Sequence, residues 1–81
     1  MLKDTEIIYV DNRAINGNQY KFIIASVNNK EAFLGIVLVK YTFSKIWTQA
    51  HRMIISETFR NAMNWLEEMI KSLEQTESIK K

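Results

Sequence analysis

The residues with the most chemistry to offer are cationic and aromatic, and they fall close together along the chain. Lys21, Lys40 and Arg52 sit inside segments rich in β-branched and aromatic residues, and Lys45 lies between two of those segments. Tyr9, Tyr20, Tyr41 and Trp47 are interleaved with them. Cations that follow a phosphate backbone, beside flat rings on which bases stack, are what single-stranded nucleic-acid binding requires. Taken singly, each has a plainer reading, in which a strand lysine snorkels and blunts a sheet edge while an aromatic ring fills the core. As a set they point to Lys21, Lys40, Lys45 and Arg52 as phosphate contacts, and to Tyr41 and Trp47 as stacking groups.

Other reactive side chains are sparse. His51 is the single histidine and reads as an ordinary neutral strand residue. Glu67 and Glu68 are adjacent on a helix surface, so they do not face each other across a cleft as an acid–base pair must. Met53, Met63 and Met69 read as adaptable core filling. Gly17 and Gly35 form no phosphate loop, and Gly35 inside a strand marks a bulge or a close backbone approach. With one histidine and no cysteine, no catalytic triad, metal ligand set or cofactor motif is visible, and a non-enzymatic role is expected.

These side chains must be positioned by a small number of elements. Strands are expected over residues 6–13, 20–27, 33–43 and 46–55. Asn16-Gly17, the strongest short hairpin signal, separates the first two. Asn28-Asn29-Lys30-Glu31, rich in residues that accept left-handed backbone, separates the next two. Ser44-Lys45 is a weaker turn. Ser56 is placed as the N-cap of a helix over 57–74, with Glu57 near the positive end of its dipole, and 75–81 is expected to fray. Phe59, Ala62, Met63, Leu66, Met69, Ile70 and Leu73 repeat at helical spacing and fall within an arc of roughly 120°, with Trp65 on its rim. The expected fold is therefore α+β: an antiparallel ββββα meander packed on one C-terminal amphipathic helix.

Parity along the strands carries a further implication. Phe33, Gly35, Val37, Val39, Tyr41 and Phe43 share one face, and Leu34, Ile36, Leu38, Lys40 and Thr42 share the other. In the second strand Phe22 and Ile24 oppose Ile23, Ala25 and Val27. Both faces are apolar near the middle, whereas an antiparallel sheet with one wet face alternates apolar and polar. One helix covers only one face. A second copy of the chain is the simplest cover for the other, since isologous dimers are the commonest oligomers, so a homodimer is expected.

Size and charge agree. The chain has 81 residues and no proline, enough for one domain. A chain this short buries only about 60–65% of its unfolded surface, so association is a natural source of extra stability. Residues 1–56 carry seven basic and four acidic side chains, and residues 57–81 four basic and five acidic, which divides the net +2 into +3 and −1. The sheet half is basic. The longest apolar runs, Ile36 to Val39 among them, are far shorter than the ~20 residues of a membrane span. Residues 1–6 lack the basic-then-apolar pattern of a secretory signal. A cytoplasmic location away from membranes is expected.

The junction Met53-Ile54-Ile55-Ser56-Glu57-Thr58-Phe59, leading into a helix from Phe59 to Leu73, resembles the positive-cofactor-type transcriptional coactivators and the related Whirly and Pur-alpha folds. There a short strand also runs through Ser or Thr into an aromatic-containing helix. The resemblance implies a curved sheet that binds single-stranded DNA or RNA, generally as a dimer or pseudo-dimer. It carries over no individual binding residue. The expected function is non-catalytic binding of nucleic acid, preferring single strands. The alternative is a small protein-interaction module, such as a viral or plasmid-encoded inhibitor docking on a host protein through an apolar sheet patch.

Overall fold

The computed structural model describes residues 5–79, with side chains described through Gln75. It is an antiparallel sheet followed by one helix: β1 (Glu6–Ile15), β2 (Asn18–Val27), β3 (Ala32–Lys40), β4 (Thr48–Gln49), β5 (Ile54–Ser56) and α1 (Phe59–Ile79). The sheet order is β1-β2-β3-β4, with β5 also pairing with β3.

The first two connections follow from residues that tolerate positive φ. Asn16 (φ 55°) and Gly17 (φ 83°) form a two-residue loop between the paired Ile15 and Asn18. Asn28, Asn29 and Lys30 (φ 52°, 58° and 74°) turn the chain between the paired Val27 and Ala32. The Glu31 amide closes that turn by donating to the Val27 carbonyl at 3.0 Å. In β1 the register shifts between Ile7 and Tyr9, so Ile7 pairs with Ala25 and Tyr9 with Ile24. Ile8 is the extra residue of a bulge. It places Ile7 and Tyr9 on opposite faces although they are two apart.

The second half of the sheet departs from the expected pattern in two places. β3 ends at Lys40 rather than at 43. Beyond it the Ser44 amide donates to the Tyr41 carbonyl at 3.0 Å, and the Thr42 amide donates to Asn18 Oδ1 at 3.3 Å. Turn and side-chain bonds thus take the groups a longer ladder would use. The fourth strand, expected as one run over 46–55, is two short pieces. β4 pairs with Leu38 and Val39, and β5 pairs with Phe33, Leu34 and Gly35. Between them the Ala50 amide still donates to the Val37 carbonyl at 2.8 Å, but Gln49 Nε2 bonds the His51 carbonyl at 2.8 Å. Residues 48–52 lack a period-two apolar pattern to hold a continuous strand.

The helix also differs at both ends. Asn61 N donates to Thr58 Oγ1 at 3.1 Å, which makes Thr58 the N-cap. Ser56, expected in that role, instead accepts from the Thr58 amide at 3.3 Å and orders the approach. At the other end the helix runs to Ile79, past the expected fraying point at 75. Residues 80 and 81 lie outside the described region.

α1 packs on one face of the sheet. Ala62, Leu66 and Ile70 are buried against Ile15, Phe22, Ile24, Phe33 and Val37. Met63, Trp65, Met69 and Leu73 flank them, half-buried. Met53, expected in the core, is exposed instead, because it lies on the irregular segment between β4 and β5. Gly35 is where strand and helix meet most closely. A Cβ there would lie 2.7 Å from Trp65 Cε3, so the close approach expected at this glycine is made by the Trp65 ring. On the opposite face Ala25, Val27 and Leu34 form a separate apolar cluster with Ala32 and Ile36.

Candidate nucleic-acid interface

The face away from α1 has two chemically distinct ends. Around the β2–β3 turn it is apolar. Toward the β1–β2 turn it becomes polar and cationic through Asn12, Gln19, Lys21 and Lys40. Register explains the placement: Lys21 pairs with Asn12 and Leu38, and Lys40 pairs with Gln19. The two lysines are therefore diagonal neighbours on one face.

Trp47 joins them. It precedes β4, whose Thr48 pairs with Val39, so the early end of β3 lets residues 41–47 fold back and bring the indole over the lysine corner. Lys21 Nζ lies 4.6 Å from the ring centroid and Lys40 Nζ 5.5 Å. Both are cation–π distances. Among the described residues neither ammonium group pairs with a carboxylate, so none of them neutralises the charge at this corner. A groove of about 360 Å³ opens alongside, lined by Asn12, Arg13, Tyr20, Lys21 and Trp47 among others. Arg13 is already engaged. It donates to Asp11 at 3.0 Å and to Glu74 of α1 at 3.2 Å, and the hydrogen bond it donates to the Asp11 carboxylate raises its pKa above the ordinary value. Its role is to tie β1 to the helix.

Aromatic rings lead outward from the core at the same end of the sheet. Tyr20 stacks on buried Phe22 with centroids 6.0 Å apart. Burial, and secondarily the neighbouring Tyr41, push the Tyr20 phenol above its ordinary pKa. Tyr41 in turn stacks on Phe43, at 5.7 Å and an interplanar angle of 6°. Both of these rings lie in the β3–β4 loop rather than on β3.

Of the six residues singled out from sequence, Lys21, Lys40 and Trp47 form one cluster, and Tyr41 follows Lys40 directly. Lys45 is exposed in the same loop, and its side chain makes no ion pair among the described residues. Arg52 is exposed on the segment between β4 and β5, across β3 from Lys21, and no contact among the described residues joins it to the cluster. His51, Glu67 and Glu68 are exposed. Among the described residues no group of three or more His, Asp or Glu side chains is disposed to hold a metal ion. No described helix is long and apolar enough to cross a membrane. Sequence reasoning missed Phe43. Strand parity assigns it to a buried face, but β3 stops three residues short of it and it is 88% exposed.

Comparison of the chain with protein-family models, curated proteins and solved structures finds no match in any of the three.

Proposed function

We propose that this protein binds single-stranded nucleic acid without catalysis, acting as a homodimer whose subunits each offer one cationic sheet corner. The observation that carries the reading is the convergence of Lys21 and Lys40 on Trp47. Two ammonium groups held against a ring are pre-oriented, so less side-chain entropy is lost when they meet phosphates. Lys45 extends the charge along the neighbouring loop, and Tyr41 supplies a ring beside it. Arg52, across β3, has the weakest support as a member of this site.

A salt titration with a short single-stranded oligonucleotide tests the reading. Each phosphate neutralised on a single strand contributes about −0.7 to the slope of log affinity against log salt. Replacing Lys21 and Lys40 together by Ala is expected to make the slope shallower by about 1.4. Arg52→Ala is expected to change it little. Failure to bind oligonucleotide at low salt would sink the proposal.

A second reading has its own observation. Ile7, Val10 and Ile55 project from the face opposite α1 and are 59%, 45% and 75% exposed. An apolar patch of that kind serves a protein partner. A chain that stays monomeric and ignores oligonucleotides is expected under this docking reading.

A further inference from the structure

The β3–β4 loop holds out apolar groups for which the folded chain has no internal use. Phe43 is 88% exposed, Ile46 71% and Tyr41 40%. The loop is nonetheless ordered by specific bonds. The Thr42 amide donates to Asn18 Oδ1, the Ser44 amide donates to the Tyr41 carbonyl, and Ser44 Oγ accepts from the Ile46 amide at 3.1 Å. Phe43 is therefore presented on a fixed turn, with its ring nearly parallel to Tyr41. Tyr41 shields one side of Phe43, and the high exposure of Phe43 leaves the other side open to solvent. Lys40 precedes this pair and Lys45 follows it.

We propose that Phe43 is a stacking step for one unpaired base, which continues the Tyr41–Phe43 stack while Lys40 and Lys45 hold the flanking phosphates. The inference rests on the nucleic-acid reading above and adds to it the means of telling single strands from duplex. A base within a duplex has both of its π-faces occupied by neighbours, whereas an unpaired base offers one to an aromatic platform. A flat ring held parallel to a second ring suits a planar base better than it suits a bilayer, which takes up apolar groups of any shape.

The test uses the full chain and three probes: a fluorescein-labelled oligothymidylate, a strand of the same length with abasic sites, and a duplex of the same length. The variants are Phe43→Ala, Phe43→Leu and Phe43→Trp. Phe43 is exposed, so unchanged far-UV circular dichroism is expected for all three. Ala and Leu should each weaken oligothymidylate binding by roughly 5- to 150-fold and leave the abasic strand and the salt slope unaltered. Trp should retain wild-type binding. Leu separates stacking from simple apolarity, since it keeps the apolar volume and loses the flat face. Wild-type binding of oligothymidylate that none of the variants changes would overturn the stacking step and leave the nucleic-acid reading standing. Equal losses on the abasic strand would also overturn it. Failure of the wild-type chain to bind any strand would defeat the parent reading, and the stacking step with it. Loss of binding to phosphatidylserine vesicles, with oligonucleotide binding intact, would assign the loop to a bilayer surface instead.

Discussion

At the residue scale, Gly35 shows how a single missing atom sets the distance between sheet and helix. Its α-carbon faces the Trp65 ring, and a Cβ would meet Trp65 Cε3 at 2.7 Å, Cζ3 at 2.8 Å and Ile54 Cγ1 at 3.1 Å. An indole in a packed layer does not retreat as the tip of a flexible side chain does. Gly35→Ala is therefore expected to cost roughly 1–3 kcal/mol, the range for overpacking, read as a lower urea midpoint at unchanged slope. An unchanged midpoint would mean that α1 is not seated on β3 as described. Tyr9 and Tyr20 make a second prediction at this scale. Burial is the main cause that raises both phenol pKa values above the ordinary one near 10, and Asp11 adds to the effect at Tyr9. The folded state thus favours the neutral phenol. Its contribution to stability is complete below about pH 10 and is lost as pH rises through the raised folded values. Denaturation midpoints measured on either side of that point should fall on the alkaline side as the phenolate absorbance rises.

At the scale of elements, the helix makes the sharpest claim. Leu66 is buried at the centre of its apolar arc and Glu68 is exposed on the far side. Leu66→Ala should cost about 2–5 kcal/mol, and Glu68→Ala less than about 0.5 kcal/mol. Thr58→Ala removes the cap on Asn61 N and should cost about 1 kcal/mol. Equal effects at 66 and 68 in chemical denaturation would show the arc to be misassigned. This arc was legible because a helix repeats every 3.6 residues whatever surrounds it. The first two turns were legible because Asn16-Gly17 and Asn28-Asn29 carry their own preference for left-handed backbone. The cap was displaced by two residues because Ser56 and Thr58 both suit the position, and only the fold decides which faces the first turn. The end of β3 was not legible at all. Tyr41, Thr42 and Phe43 have strong strand propensity, and the strand stops because Asn18, distant in sequence, takes the Thr42 amide. The candidate site inherits that difficulty. Parity places Lys21 and Lys40 on one face, but the position of Trp47 over them, and of Phe43 in solvent, depends on where β3 ends.

At the scale of the whole molecule, α1 covers one face of the sheet, and no described element packs over the other. The face opposite α1 is apolar at one end, where Ile7, Val10 and Ile55 are exposed around the buried Ile23, Ala25 and Leu34, and cationic at the other, through Lys21 and Lys40. This polarity makes a two-fold arrangement self-consistent. If the apolar ends of two copies overlap about an axis that lies between the two sheets, parallel to them and across the apolar-to-cationic direction, the lysine corners lie at opposite extremes. They are then open to a strand and do not repel each other across the interface. Sedimentation equilibrium at micromolar concentration is expected to give about twice the chain mass of 9.6 kDa. Ile55 lies on that face, opposite Leu34 in the β3–β5 pairing, and is 75% exposed in the single chain. Placing a charge there should therefore disturb association far more than folding. Ile55→Lys is expected to return the mass to that of one chain, because a buried unpaired ammonium in an apolar interface costs several kcal/mol, while the helical circular dichroism persists. A wild-type chain that sediments as a monomer would leave this apolar face open to a different protein. A dimer indifferent to Ile55→Lys would mean that the two copies meet elsewhere, with the exposed edge of β1 the next surface to test.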